Sequence, residues 1–297
     1  MIATQVPFVG KRFQVGLRRQ KTWGADMAIS FFFGEFGAGL FVLSLCYDFL
    51  PGLIAGLLIT TVGKSVGHLM HLGRPERAWR AITQIRHSWL SRGLLSIVLY
   101  SGFGGIYILN QFFEVLPSVL STVCAVIACA AALVIMLYQG LIMSHSASIT
   151  LWASGLMPVI GMSYALLSGT TALLAIGQYG LLAEQPELIP VLRALQLVLL
   201  LVSAVGVWGL LHAAHFGSLG GRESVERLLK QDLASTFIGG VIVIGFGLTA
   251  ALIAFAPLSL GSAWLTLASQ ITGFVCFRLL ILKAANYDPI MLFARGR

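Results

Sequence analysis

The groups able to do chemistry are gathered in a few places along this chain. His68 to Arg92 is its longest polar stretch, with five arginines, three histidines and two tryptophans between two long apolar runs. The six histidines, His68, His71, His87, His145, His212 and His215, all fall in or near such breaks between apolar runs. An imidazole exchanges protons near neutral pH. His68/His71 and His212/His215 also share an H-x-x-H spacing, which raises haem ligation as a rival use. Glu35 and Lys64 are charged residues set well inside apolar runs. In a membrane, such a group pairs or lines a proton or ion path.

The elements that carry these residues are hydrophobic. Of 297 residues, 58% are hydrophobic and 10% charged, against about 25% charged in soluble proteins. Such a chain cannot cover its own surface with polar groups, so lipid must. Runs of about 20 apolar residues mark membrane spans, and eight are read: 25–50, 53–70, 93–113, 115–143, 157–182, 189–213, 234–257 and 262–282. The expected fold is therefore an all-α, multi-pass integral membrane protein of eight transmembrane helices. A basic tail, 1–24, precedes the 25–283 membrane domain, and a short tail, 284–297, follows it. The first run is too long for a signal peptide and is read as a retained span.

Eight spans put both termini on one side. That side carries sixteen of the nineteen lysines and arginines, including Lys11, Arg12, Arg295 and Arg297. The opposite side carries Arg193 and the acids Asp48, Glu114, Glu184 and Glu187. The positive-inside rule makes the basic side, and so both termini, cytoplasmic. The formal charge of +8 is thus explained by topology, and nucleic acid is not an expected partner. The four cysteines all lie in apolar runs without a C-x-x-C. No iron–sulfur cluster is expected in this chain, and if electrons arrive, another subunit brings them.

Depth places the candidate residues. Glu35 lies ~15 Å into the first span and Lys64 ~12 Å into the second. A structural ion pair and a proton path are both open readings. A quinone headgroup needs hydrogen-bond donors and an apolar slot, and Tyr138, His68, His71 and His145 stand at suitable depth, with Trp152 close by. Tyr138 and Trp152 also fit an aromatic belt. In the first polar stretch, Ala78, Ile82, Ile85 and Trp89 recur at helical spacing among Arg77, Arg80 and Gln84; Val225, Leu228 and Leu229 do so in the second. Surface helices bound to headgroups or to a partner explain both. The two H-x-x-H pairs follow spans four apart, as an internal duplication would place them.

Four stretches carry a resemblance. HLGRPERAWRA with RHSWLSR (71–81 and 86–92), FFFGEFGAGLF (31–41), MSHSASITLWASGLMPVIGMSYALLSG (143–169) and ITGFVCFRLLILKA (271–284) resemble, in order, the membrane-anchor group of NrfD, polysulfide reductase and DMSO reductase. The resemblance implies a haem-free quinone-interacting anchor in a bacterial or archaeal inner membrane. It implies a four-cluster ferredoxin-like iron–sulfur subunit and, beyond it, a molybdenum or tungsten molybdopterin catalytic subunit; the group has both orientations, and the charge rule puts both partners on the cytoplasmic side here. Menaquinone or ubiquinone would contact His68, His71, Tyr138, His145 and Trp152. Arg74, Arg77, Arg80, Arg86, Trp89 and Arg92 would face the iron–sulfur subunit. Some anchors of this group carry an acid where Gly93 stands, so Glu35 with Lys64 is the expected proton path here. The rival readings are a haem-binding cytochrome b-type anchor, a secondary transporter working through Glu35 and Lys64, and a passive anchor that only docks a partner.

Overall fold

The computed structural model describes residues 16–71 and 74–289, and eight of its helices are long and apolar enough to cross a membrane. A short strand β1, Arg18–Arg19, precedes them. Helix α1 is Ala25–Cys46, α2 Leu50–His71, α3 Trp89–Phe113, α4 Ser118–Ser144, α5 Leu156–Tyr179 and α6 Leu188–Gly217. A surface helix α7, Leu219–Leu229, follows, then α8, Ala234–Phe255, and α9, Leu260–Ala284. Strand β2, Asn286–Tyr287, pairs antiparallel with β1, so the segments flanking α1 and α9 meet on one face of the bundle. Lys11, Arg12, Arg295 and Arg297 lie outside the described residues.

Three helices form the interior. Over their most apolar stretches, α1, α5 and α9 are 72%, 78% and 61% buried, against 28% for α2 and α6. Apolar side chains gain little by leaving lipid for protein, so close backbone packing has to hold such helices together. Gly39 supplies it: a Cβ there would lie 2.0 Å from the Ala165 carbonyl oxygen. On the outer helices, large apolar residues such as Leu201, Val205 and Trp208 face outward, as lipid contact requires.

Helix ends follow local chemistry. Ser88 caps α3 by accepting from Ser91 N–H, Ser218 caps α7 through Gly221 N–H, and Ser259 with Ser262 forms a reciprocal capping box on α9. The Ser88 cap starts α3 four residues before the expected boundary, so Trp89 and Arg92 belong to its first turn rather than to a loop. The first polar stretch is not an amphipathic α-helix running through Ile85 and Trp89. It is a 3₁₀ segment, Pro75–Gln84, ended by a turn before α3. The second stretch does form an α-helix, and α6 extends far enough to carry His212 and His215. Two spans contain π-helical turns, Ile59–Lys64 in α2 and Phe237–Leu248 in α8.

Candidate functional site

Glu35, Lys64 and Arg278 are all fully buried, on α1, α2 and α9. The equal depth of Glu35 and Lys64 makes them expected partners, but the salt bridge of Glu35 is with Arg278. Arg278 Nε donates to Glu35 Oε2 at 2.9 Å and Nη2 donates to Oε1. A guanidinium fork matches both carboxylate oxygens, which an ammonium cannot do. Gly161 on α5 makes room for the pair, since a Cβ there would sit 2.7 Å from Glu35 Oε1.

Lys64 closes the π turn of α2 and turns toward α4. Its Nζ lies 4.8 Å from the ring centroid of Tyr138. The Gln139 amide oxygen accepts from it at 2.8 Å, while the Gln139 amide nitrogen donates to the Phe31 carbonyl at 3.2 Å. Arg278, Gln139 and Ser30 (described next) are absent from the expected site. A charge inside an apolar run was the available signal for Arg278, and adjacency to Tyr138 was the signal for Gln139.

One turn beyond Lys64, His68 Nδ1 meets the Ser30 hydroxyl, which also donates to the Lys64 carbonyl at 2.9 Å. Ser30 has one hydroxyl proton. With that proton on the carbonyl, His68 must donate from Nδ1, and Nε2 is left as the acceptor of a neutral ring. His68 and Tyr138 border a cavity of about 300 Å³ between α2, the 3₁₀ segment, α3 and α4, walled by Leu69, Leu90, Leu94 and Ile97. Tyr138 is 1% exposed, and its hydroxyl has no hydrogen-bond partner among the described residues. Gly93 accounts for its position, because a Cβ there would fall 2.3 Å from the tyrosine ring. Glycine at position 93 is thus what lets the ring pack against α3.

The other expected quinone contacts lie elsewhere. His71 faces Asp26 at 2.6 Å, tying the basic-face ends of α1 and α2. His145 is exposed and donates from Nδ1 to the Leu141 carbonyl at 2.7 Å, capping α4. Trp152 is 3% exposed, donates to the Ile281 carbonyl at 2.9 Å and stacks on Trp23. It is core, neither belt nor cavity wall. Arg74, Arg77, Arg80 and Arg86 are exposed. Arg92 is turned inward: it donates to the Ile85 and Arg86 carbonyls at 3.0 and 2.9 Å and stacks on Trp89 at 4.3 Å. These bonds shape the turn before α3. Among the described residues no three His, Cys, Asp or Glu side chains gather to hold a metal ion.

The family described as polysulphide reductase, NrfD, matches residues 14–287. The chain belongs to the NrfD family. That membership and the eight apolar helices together make it a multi-pass membrane protein. Over 63 residues it is 38% identical to a protein of the sulfite dehydrogenase of Allochromatium vinosum, covering 21% of this NrfD chain and 19% of that protein.

Proposed function

We propose that the chain is the quinone-exchanging anchor of its complex. The observation that carries this reading is the orphaned phenol of Tyr138 at an apolar cavity shared with His68. A buried hydroxyl left unpaired costs about 1–3 kcal/mol, so a ligand bearing an acceptor oxygen fits, and a quinone carbonyl is one. A bound quinone would supply chemistry of two electrons and two protons. Tyr138 donates a hydrogen bond to the carbonyl oxygen. His68, held by Ser30 with its proton on Nδ1, offers Nε2 to a quinol hydroxyl. Leu90, Leu94 and Ile97 exclude water and take the tail. Lys64, packed against the Tyr138 ring, and Glu35, oriented by Arg278, form the proton path toward mid-membrane.

The exposed Arg74, Arg77, Arg80 and Arg86 form the docking surface of a four-cluster ferredoxin-like iron–sulfur subunit. That partner links the anchor to a molybdopterin catalytic subunit on the cytoplasmic side. The name of the Allochromatium vinosum relative makes sulfite the first substrate to offer the complex. The test is purification of the tagged chain from native membranes in mild detergent, with mass spectrometry of its partners, an optical spectrum and quinol-linked turnover. A cysteine-rich subunit, a large molybdopterin subunit and no haem bands are expected. Recovery with haem, or turnover unaffected by Tyr138→Phe and His68→Gln, overturns the reading.

A further inference from the structure

His212 and His215 take no part in the site above. They sit at one end of a second groove, of about 550 Å³, between α6, α7 and α8. Its lining differs from that of the cavity beside His68 and Tyr138. Its floor is apolar, with Val207, Leu211, Val225 and Phe237 buried. Its flanks are exposed aromatics: Trp208, His212 and Phe216 follow one another along α6 with tilted rings, at 5.6 and 4.9 Å between ring centroids. From His215 the slot runs down α6 to Ala204, eleven residues or ~16 Å, and Ile242 and Phe246 of the π-helical part of α8 form its far wall.

The polar groups collect at one end, the end level with the β1–β2 face. Lys230 is exposed there beside His212 and His215. The nearby acid, Glu226, accepts from Arg222 at 2.9 Å and also lies within Coulombic reach of Lys230 and His215, so two cations, Arg222 and Lys230, share that one carboxylate. A long apolar slot open toward the lipid, headed by a cation at membrane-surface level, complements a molecule with an acyl chain and an anionic headgroup. A quinone would find no phenol here, and no buried orphan donor borders this groove among the described residues.

We infer that the groove between α6, α7 and α8 is a binding site for one anionic phospholipid, its headgroup phosphate on Lys230 and His215 and an acyl chain along Trp208, Ile242 and Phe246. Basic residues at the membrane surface draw anionic lipid with an energy that corresponds to about fivefold in affinity per lysine. The lipid wedges α7 against two spans whose backbones part there, and so stabilises the face on which α7 lies. This inference is independent of the quinone reading, because its residues and its measurement are separate.

The test uses the complex purified in mild detergent, supplied with phosphatidylglycerol or with phosphatidylcholine and weighed by native mass spectrometry. The wild type is expected to retain one phosphatidylglycerol in preference to phosphatidylcholine. Lys230→Gln should lower that retention about fivefold, with quinol turnover unchanged. Ile242→Trp, which fills the slot from an exposed position, should remove the bound lipid while helix content stays as in the wild type. Equal retention of the two lipids, or retention indifferent to both substitutions, overturns the inference. So does displacement of the lipid by a short-chain quinone, which would make the groove a second quinone site.

Discussion

At the scale of single residues, the centre of the molecule is governed by what each buried polar group can pair with. Tyr138→Phe removes a fully buried donor at the cavity that has no protein partner among the described residues. On the proposed reading the fold should be unchanged and quinol-linked turnover should drop about tenfold, the worth of one good hydrogen bond; unchanged turnover would take Tyr138 out of the site. The Glu35–Arg278 pair behaves differently. Glu35→Leu strands a guanidinium in the bundle and should cost about 3–5 kcal/mol of stability. Glu35→Leu with Arg278→Leu should cost less than Glu35→Leu alone, which thermal unfolding in detergent of the single and double variants would measure. The sequence placed Glu35 and Lys64 at one depth, and both are indeed buried near each other. Depth along a helix says nothing of direction around it, and so the partner of Glu35 could not be read. Direction was decided by the Arg278 fork and by a π turn that carries no sequence signature. The same limit explains His145 and Trp152, whose partners are backbone carbonyls, of the last turn of α4 for His145 and of α9 for Trp152.

At the scale of elements, the basic face is fastened by side chains that reach between segments distant in sequence. Asp288 accepts from Ser218 Oγ, Gly220 N–H and Thr150, and so ties the segment after β2 to the start of α7 and to the loop after α4. Asp288→Ala should leave the bundle folded and speed hydrogen exchange at 148–150 and 218–221; unchanged exchange would show that packing alone holds these loops. Arg227 is 2% exposed. It donates to the Lys283 carbonyl at 2.8 Å and to both Asp232 oxygens, joining α7 to the end of α9. The hydrogen bond from Arg227 holds the Asp232 carboxyl below its usual range. A carboxyl depressed on folding stabilises the folded state above its unfolded pKa, and the contribution is lost as pH falls through the folded value. The clasp should therefore be intact at neutral pH and loosen below about pH 4, read as faster exchange in α7. Asp232 is nearly half exposed, so the effect is modest and local. Helical periodicity made α7 legible in advance. It did not reveal that Arg227, one of the charges assigned to the basic surface, turns inward as a clasp.

At the scale of the whole molecule, hydropathy fixed the architecture because lipid leaves a chain few ways to satisfy its backbone. Each expected run is a helix, and the boundaries differ by a few residues where Ser88, Ser218 and Ser259 cap. The ends of the bundle meet through β1 and β2, as an even number of spans requires. Charge then makes an asymmetric object: one face holds Arg74, Arg77, Arg80, Arg86, Arg222 and Lys230, the other Asp48, Glu114, Glu184 and Glu187. Because retention of basic loops sets orientation, the first of these faces should lie in the cytoplasm. The prediction is checked with a background in which exposed Cys46 is serine, adding a single cysteine by Arg222→Cys or by Glu187→Cys, both exposed positions. A membrane-impermeant maleimide applied to whole cells should label the cysteine at 187 and spare the one at 222, and permeabilised cells should label both. The reverse pattern would put the arginine surface outside. On the proposed reading the partner that docks there would then have to be exported, and the cavity beside His68 and Tyr138 would exchange protons with the outer compartment.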